Sequence, residues 1–148
     1  MSAHRFLAKA FFASWAGILL LGCAAAYLED YTPRNPQEQA IKTVLSGFET
    51  AWNNQDEQAL LALLDDDFIL WVWSGGNRRI VFRKGTLGFK LRDIFIDWRY
   101  LGLGTPEILV KSNQATAYVP LWLDGRGYRS TFRFLHRDNT WVILDWEF

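Results

Sequence analysis

The stretch from Phe48 to Trp73, FETAWNNQDEQALLALLDDDFILWVW, changes its hydrophobic period from helical to strand-like, and the rest of the chain must accommodate that switch. Phe48, Ala51 and Trp52 close an apolar stripe begun by Ile41, Val44 and Leu45, spaced as one face of an amphipathic helix. Asn53-Asn54-Gln55 interrupts the stripe, and Asp56 stands where a carboxylate accepts a free backbone N–H at a helix start. Leu60, Leu61, Leu63 and Leu64 supply the buried face of a second helix. Asp65-Asp66-Asp67 reads as a solvated helix exit, and Phe68 to Trp73 as a first strand carrying alternate tryptophans. Two helices folded onto a sheet leave a concave, aromatic-lined space between them.

Around this stretch, Asn35-Pro36-Gln37-Glu38 forms a helix start. Asn35 can cap, Pro36 fits the first helical position, and Glu38 stands in capping-box register. The first helix is predicted over 36–53 and the second over 56–64. Ser74-Gly75-Gly76-Asn77 turns strand one (68–74) into strand two (79–83). Leu87, Leu91, Ile94 and Phe95 predict a short third helix over 86–95, with Thr86 as its cap. Residues 97–103 and 107–111 read as one long strand bent at Gly102, Gly104 and Pro106. Strands over 115–123, 128–137 and 141–148 follow, separated by turn residues, as in an antiparallel meander.

The first 22 residues are of another kind. His4, Arg5 and Lys9 precede an apolar run from Ala10 to Leu21, too short to span a bilayer comfortably and suited to a signal-peptide core. Leu20-Leu21-Gly22-Cys23 follows, and Cys23 is the chain's single cysteine. This tetrapeptide resembles the lipobox of bacterial lipoproteins. The resemblance implies cleavage after Gly22 and acylation of Cys23. With Ala24 next, it also implies the periplasmic face of the outer membrane, the cell envelope and a lipid anchor. The alternative is a buried free cysteine ending an uncleaved anchor helix. Residues 23–35, with Pro33 and Pro36, read as an extended acylated tether holding a domain over 36–148 off the lipid. Cleavage leaves 148 − 22 = 126 residues and, without Arg5 and Lys9, 14 basic against 16 acidic side chains. That balance does not suggest a nucleic-acid partner.

The order helix, Ala51-Trp52-Asn53-Asn54-Gln55-Asp56, Ala59-Leu60-Leu61, Leu64-Asp65-Asp66-Asp67-Phe68, with the closing strand Trp141-Val142-Ile143-Leu144-Asp145-Trp146, resembles the nuclear transport factor 2-like (NTF2-like) superfamily. That superfamily includes the SnoaL-like cyclases and the ketosteroid isomerases. The resemblance implies an α+β cone: two to three N-terminal helices packed on a strongly bent antiparallel sheet. It is specific for fold and weak for function, because the scaffold hosts enzymes, binders and assembly domains. Isomerase members use an aspartate on the first strand and a tyrosine from the first helix. At those places this chain offers Val72 and Phe48, neither of which titrates.

The remaining candidates for proton chemistry are Asp97, His136 and Asp145, where an Asp/His pair would support a SnoaL-like lyase, isomerase or hydrolase. His136 reads equally as a half-exposed residue at a strand end. No cofactor is implied, and no spacing of His, Cys or carboxylates suggests a metal. Eight tryptophans among 16% aromatic residues are the unusual figure. Phe48, Trp52, Trp71, Trp73, Trp98, Phe132 and Phe134 could together line a pocket for a small apolar or aromatic ligand, or could simply fill the cone. Tyr118 and Trp122, beside Arg129 and Arg133, are expected to face outward if Val119 and Leu121 face inward. Relatives often dimerise through that outer sheet face. The sequence therefore points to a membrane-anchored domain that is not an enzyme, serving as a ligand binder or envelope assembly module. An enzyme and a structural homodimer with a filled core are the rival readings.

Overall fold

In the computed structural model, which describes residues 26–148, three α-helices pack on a seven-stranded sheet. Cys23, the expected leader over 1–22 and the start of the 23–35 segment lie outside the described residues. Helix α1 (Pro36–Asn53) starts where the sequence places it: the Asn35 side chain accepts from the Glu38 N–H at 2.9 Å. The return half of the capping box differs. The Glu38 carboxylate reaches one residue past the cap and accepts from the Arg34 N–H at 2.8 Å. Helix α2 (Glu57–Ala62) is capped by Asp56, whose side chain accepts from the Ala59 N–H.

Strand β1 (Leu64–Ser74) begins four residues earlier than the alternation indicated, so Asp65-Asp66-Asp67 lies in a strand and not in a helix exit. Partners make this tolerable. Asp65 is buried and meets Arg137 at 3.3 Å, while Asp66 meets Lys84 at 3.0 Å. Strand β2 (Asn77–Arg83) returns along β1, and α3 (Lys84–Asp97) follows directly, its start tied down by Lys84 Nζ donating to the Leu64 carbonyl. Strands β3 (Leu101–Leu103), β4 (Glu107–Lys111), β5 (Gln114–Leu123), β6 (Arg126–Arg137) and β7 (Thr140–Glu147) complete the sheet.

The strand order is β2-β1-β7-β6-β5-β3, with β4 pairing β5 beyond β3. β3 and β4 thus lie end to end along β5, as one strand broken at Gly104 to Pro106 would. One pairing departs from the expected meander. β1 runs parallel to β7, because the chain traverses the whole sheet before returning beside its first strand. The free edge of β3 is covered by α1: Asn53 exchanges two hydrogen bonds of 2.8 Å with Leu101, and Glu49 accepts from the Leu103 N–H at 3.0 Å. Residues four apart on one helix face reach successive edge donors, which answers the cost of an unpaired strand. Burial pushes the Glu49 carboxyl above its ordinary pKa, and the Leu103 N–H opposes that shift.

The segment before α1 is not the extended tether that its prolines indicated. Leu28 is 1% exposed, in a short 3-10 turn (Leu28–Asp30). Tyr31 donates to Glu38 at 2.7 Å, Arg34 donates to Glu38 and to the Ile108 carbonyl, and Lys42 donates to the Glu29 and Tyr31 carbonyls. Tyr27 bridges Gly104, and the Thr105 N–H donates to the Ala26 carbonyl at 3.0 Å. A buried leucine and a charged knot outweigh the extended preference of two prolines, and the segment becomes a strap.

The strap crosses the sheet where side chains are thinnest. A Cβ added at Gly104 would lie 3.0 Å from Pro120 Cβ and 3.2 Å from Trp122 Cη2. Gly104→Ala is therefore expected to cost about 1–3 kcal/mol through overpacking. Urea denaturation would show it as a lower midpoint at unchanged slope, and an unaltered midpoint would contradict the packing described.

Candidate functional site

The inner face of the sheet and α1 meet through rings. Phe48 packs edge-on against Phe132 at 5.3 Å and Trp146 at 5.2 Å, and Trp52 packs edge-on against Phe95 at 5.4 Å. Phe132 and Trp146 stack at 5.3 Å, and Trp146 meets Phe148 at 4.7 Å. Trp98 closes the cone's mouth against Phe148, and its carbonyl accepts from Trp52 Nε1 at 3.0 Å. The space left among Phe48, Trp52, Phe68, Val72, Phe82 and Trp98 is about 60 Å³, walled by apolar atoms. A water takes about 30 Å³ of the liquid and small-molecule sites run from about 300 Å³. The cone is filled.

Of the aromatic residues expected inside, Phe48, Trp52, Phe132 and Phe134 are buried there, and Trp98 stands at the rim. Trp71 and Trp73 are not inside. Phe68, Leu70 and Val72 face the helices, so the pleat sends Ile69, Trp71 and Trp73 to the other side. There the Arg78 guanidinium covers the Trp71 ring at 3.9 Å, and Trp73, 54% exposed, donates from Nε1 to Glu147 at 2.6 Å.

Trp146 is the interior ring that alternation missed. Counting by twos from Trp141 and Ile143 would turn Asp145 inward and Trp146 outward. A bulge between Arg133 and Phe134 in the β6–β7 pairing reverses this: Ile143 faces Phe134, then Asp145 faces Arg133 and Trp146 faces Phe132. The same bulge removes Asp145 from the cone. Its carboxylate accepts from Arg133 Nε at 2.8 Å on the outer face, where burial raises its pKa and the guanidinium opposes the rise.

Asp97 is exposed at the last turn of α3, and His136 is half-buried at the end of β6, with its ring 4.9 Å from Trp141. Among the described residues no hydrogen bond or ion pair joins Asp97, His136 and Asp145 to one another. Nor do three or more His, Cys, Asp or Glu side chains gather as a metal site would need, among the same residues.

The larger recess is on the outside of the sheet. It holds about 630 Å³ and is lined by Trp73, Glu107, Tyr118, Arg129, Thr131 and Glu147. Val119 and Leu121 are buried and Tyr118 is 48% exposed, so the outward set expected from alternation is met. Glu147 is held by Arg78 at 2.9 Å as well as by Trp73. The surface combines rings, cations and carboxylates on one side of a sheet.

No protein-family model matches the sequence, and no curated protein matches it. Solved structures do resemble the fold. An NTF2-like protein from Cytophaga hutchinsonii superposes with a TM-score of 0.65 at 18% identity, over 76% of this chain and 97% of that one. An NTF2-like protein from Shewanella baltica gives 0.64 at 14% identity, over 78% and 94%. A candidate dehydratase of the NTF2-like family from Streptomyces avermitilis gives 0.57 at 14% identity, over 74% and 91%. The chain has the NTF2-like fold. In this NTF2-like domain, Phe48 and Val72, the two positions where the isomerase pattern has titratable groups, both line the residual interior space and both are apolar.

Proposed function

We propose that this protein is a lipid-anchored, non-catalytic module of the bacterial cell envelope, assembling through the outer face of its NTF2-like sheet with a second copy of itself. The observation that carries the reading is the placement of space: about 60 Å³ inside the cone against about 630 Å³ outside it. A filled interior gives no room for a substrate, and Asp97, His136 and Asp145 lie apart. The outer recess suits self-pairing, because a two-fold contact presents the same patch twice and needs both signs of charge in it. Arg129 on one copy can meet Glu107 or Glu147 on the other, around Tyr118. The lipobox-like Leu20-Leu21-Gly22-Cys23 supports the anchor and, with Ala24, a place on the periplasmic face of the outer membrane. Among the described residues no helix is long and apolar enough to cross a membrane.

Native mass spectrometry of the detergent-extracted full-length product tests the assembly. A dimer is expected, and Tyr118→Glu is expected to weaken it at least about tenfold, or ~1.4 kcal/mol. Monomers for both proteins would end the self-assembly reading. A retained small ligand would favour the second reading, a small apolar guest in a cone opened by movement of α3. Labelled palmitate tests the anchor: incorporation that is lost in Cys23→Ser supports it, and unchanged incorporation contradicts it.

A further inference from the structure

The strap fixes how far the domain can stand from an anchor at Cys23. Its first described contact is the Ala26 carbonyl, which accepts from the Thr105 N–H at 3.0 Å, and Tyr27 bridges Gly104 one residue later. Three residue steps separate Cys23 from Ala26, and a chain spans at most about 3.3–3.6 Å per step, so the reach is about 10 Å. The headgroup layer on each side of a bilayer is itself roughly 6 Å deep. A domain held so short touches the lipid it is tied to.

The surface at that point has the composition a lipid interface selects. The Trp122 ring lies in a cradle of three glycines: a Cβ at Gly102, Gly104 or Gly127 would come within 3.2 to 3.7 Å of the indole. Tyr27 leans on the same indole, with ring centroids 6.3 Å apart. Tyr27 is 51% exposed and Tyr100, beside Gly102, is 60% exposed. Tyrosine and tryptophan concentrate at headgroup level because each joins an apolar ring to a polar tip. Arg99, next to Tyr100, is an exposed cation at its border. Two neighbouring acids, exposed themselves, have their carboxylates engaged by backbone donors: Asp30 accepts from the Tyr27 N–H, and Asp124 accepts from those of Arg99 and Tyr100. Glu29 is a third exposed acid, at the edge.

Resting on the reading that Cys23 is acylated, we infer that the domain lies flush on the bilayer, with Tyr27, Tyr100 and Trp122 as the headgroup-contacting face and the strap as a spacer of fixed length. The β6–β7 turn at Asp138-Asn139, at the far end of β6 from Gly127 and Tyr128, lies away from the lipid-bound end of the sheet.

The lipidated full-length product is placed in vesicles of phosphatidylethanolamine and phosphatidylglycerol that include headgroup-quenching lipid. A fluorophore is attached at Tyr100→Cys or at Asn139→Cys. Quenching is expected to be several-fold greater at position 100 than at 139. A flexible Gly/Ser insert between Ala25 and Ala26 is expected to abolish that difference while the protein stays with the vesicles. Equal quenching at the two positions in a palmitate-labelled, vesicle-bound protein overturns the flush orientation and leaves the anchor standing. Equal quenching with position 100 shielded inside a dimer assigns the patch to a second copy and overturns it as well. Absence of palmitate and of vesicle binding removes the anchor, and the inference falls with it.

Discussion

Replacing Phe48 by alanine is expected to cost the domain about 3–5 kcal/mol, the range for deleting a buried phenylalanine ring. Phe48 is 1% exposed and sits between the helix and the sheet, with Trp52, Phe132 and Trp146 around it. Aromatic pairs hold a further fraction of a kcal/mol each through their edge-to-face geometry, so the loss should lie toward the upper end. For a domain of this size the melting temperature should fall by about 10–20 °C. Against a typical total stability of about 5–15 kcal/mol, that leaves a marginal protein.

The void would join the existing space of about 60 Å³. Dry apolar cavities accept small aromatic guests, so benzene should raise the melting temperature of Phe48→Ala and leave the wild type unmoved. This separates a filled cone from a hollow one. If benzene stabilised the wild type equally, or if the substitution cost less than about 1 kcal/mol, the interior would not be the packed ring cluster described.

Much of this interior is visible in the sequence because α1 has a clean period and firm ends. Asn35, Pro36 and the stripe Ile41, Leu45, Phe48, Trp52 define an 18-residue helix that the structure reproduces residue for residue. The same legibility holds for Asp56 as a cap and for the break at Gly104 to Pro106 between β3 and β4. In β7 what failed was side, and for one physical reason. A strand's facing is fixed by parity, and one extra residue inverts everything beyond it. The bulge at Arg133/Phe134 moved Asp145 out and Trp146 in, and nothing in Trp141-Val142-Ile143-Leu144-Asp145-Trp146-Glu147 announces it.

Trp71 and Trp73 could have been placed correctly, since Phe68, Leu70 and Val72 form the more uniformly apolar alternate set. The Asp65-Asp66-Asp67 run was unreadable locally for another reason. Its partners Arg137 and Lys84 lie far along the chain, and only tertiary pairing makes a triple aspartate acceptable in a strand. The strap was hidden in the same way: Leu28 and Tyr31 look like linker residues until Glu38 and Ile108 are brought to them.

Neutralising Glu38 is expected to release that strap, and the release should depend on pH in a defined direction. The Glu38 carboxylate accepts from Arg34 Nε at 2.9 Å, from the Arg34 N–H at 2.8 Å and from the Tyr31 hydroxyl at 2.7 Å, with the Arg34 guanidinium also in ionic contact at 2.8 Å. These donors, the Arg34 side chain first, hold its pKa down at about 2 against an ordinary 4.5. A carboxyl whose folded pKa is depressed contributes stability that is fully present above 4.5 and is lost as pH falls from there toward 2.

Glu49 and Asp145 act in the opposite sense, since burial raises both, so the raw acid profile of the wild type mixes the two trends. The quantity to measure is the difference between wild type and Glu38→Gln. Hydrogen exchange at the amide of Tyr31, which donates to the Leu28 carbonyl, should be much faster in the variant at neutral pH. Stability from urea unfolding, taken at pH 7 and again near pH 2, should show a gap that closes as the wild-type carboxylate takes up its proton. A gap of equal size at both pH values would mean that glutamine damages α1 packing and that the ionised knot does not hold the strap. A gap that closes, with faster exchange confined to the strap, would show that the length of chain between Cys23 and the folded domain is itself set by one carboxylate.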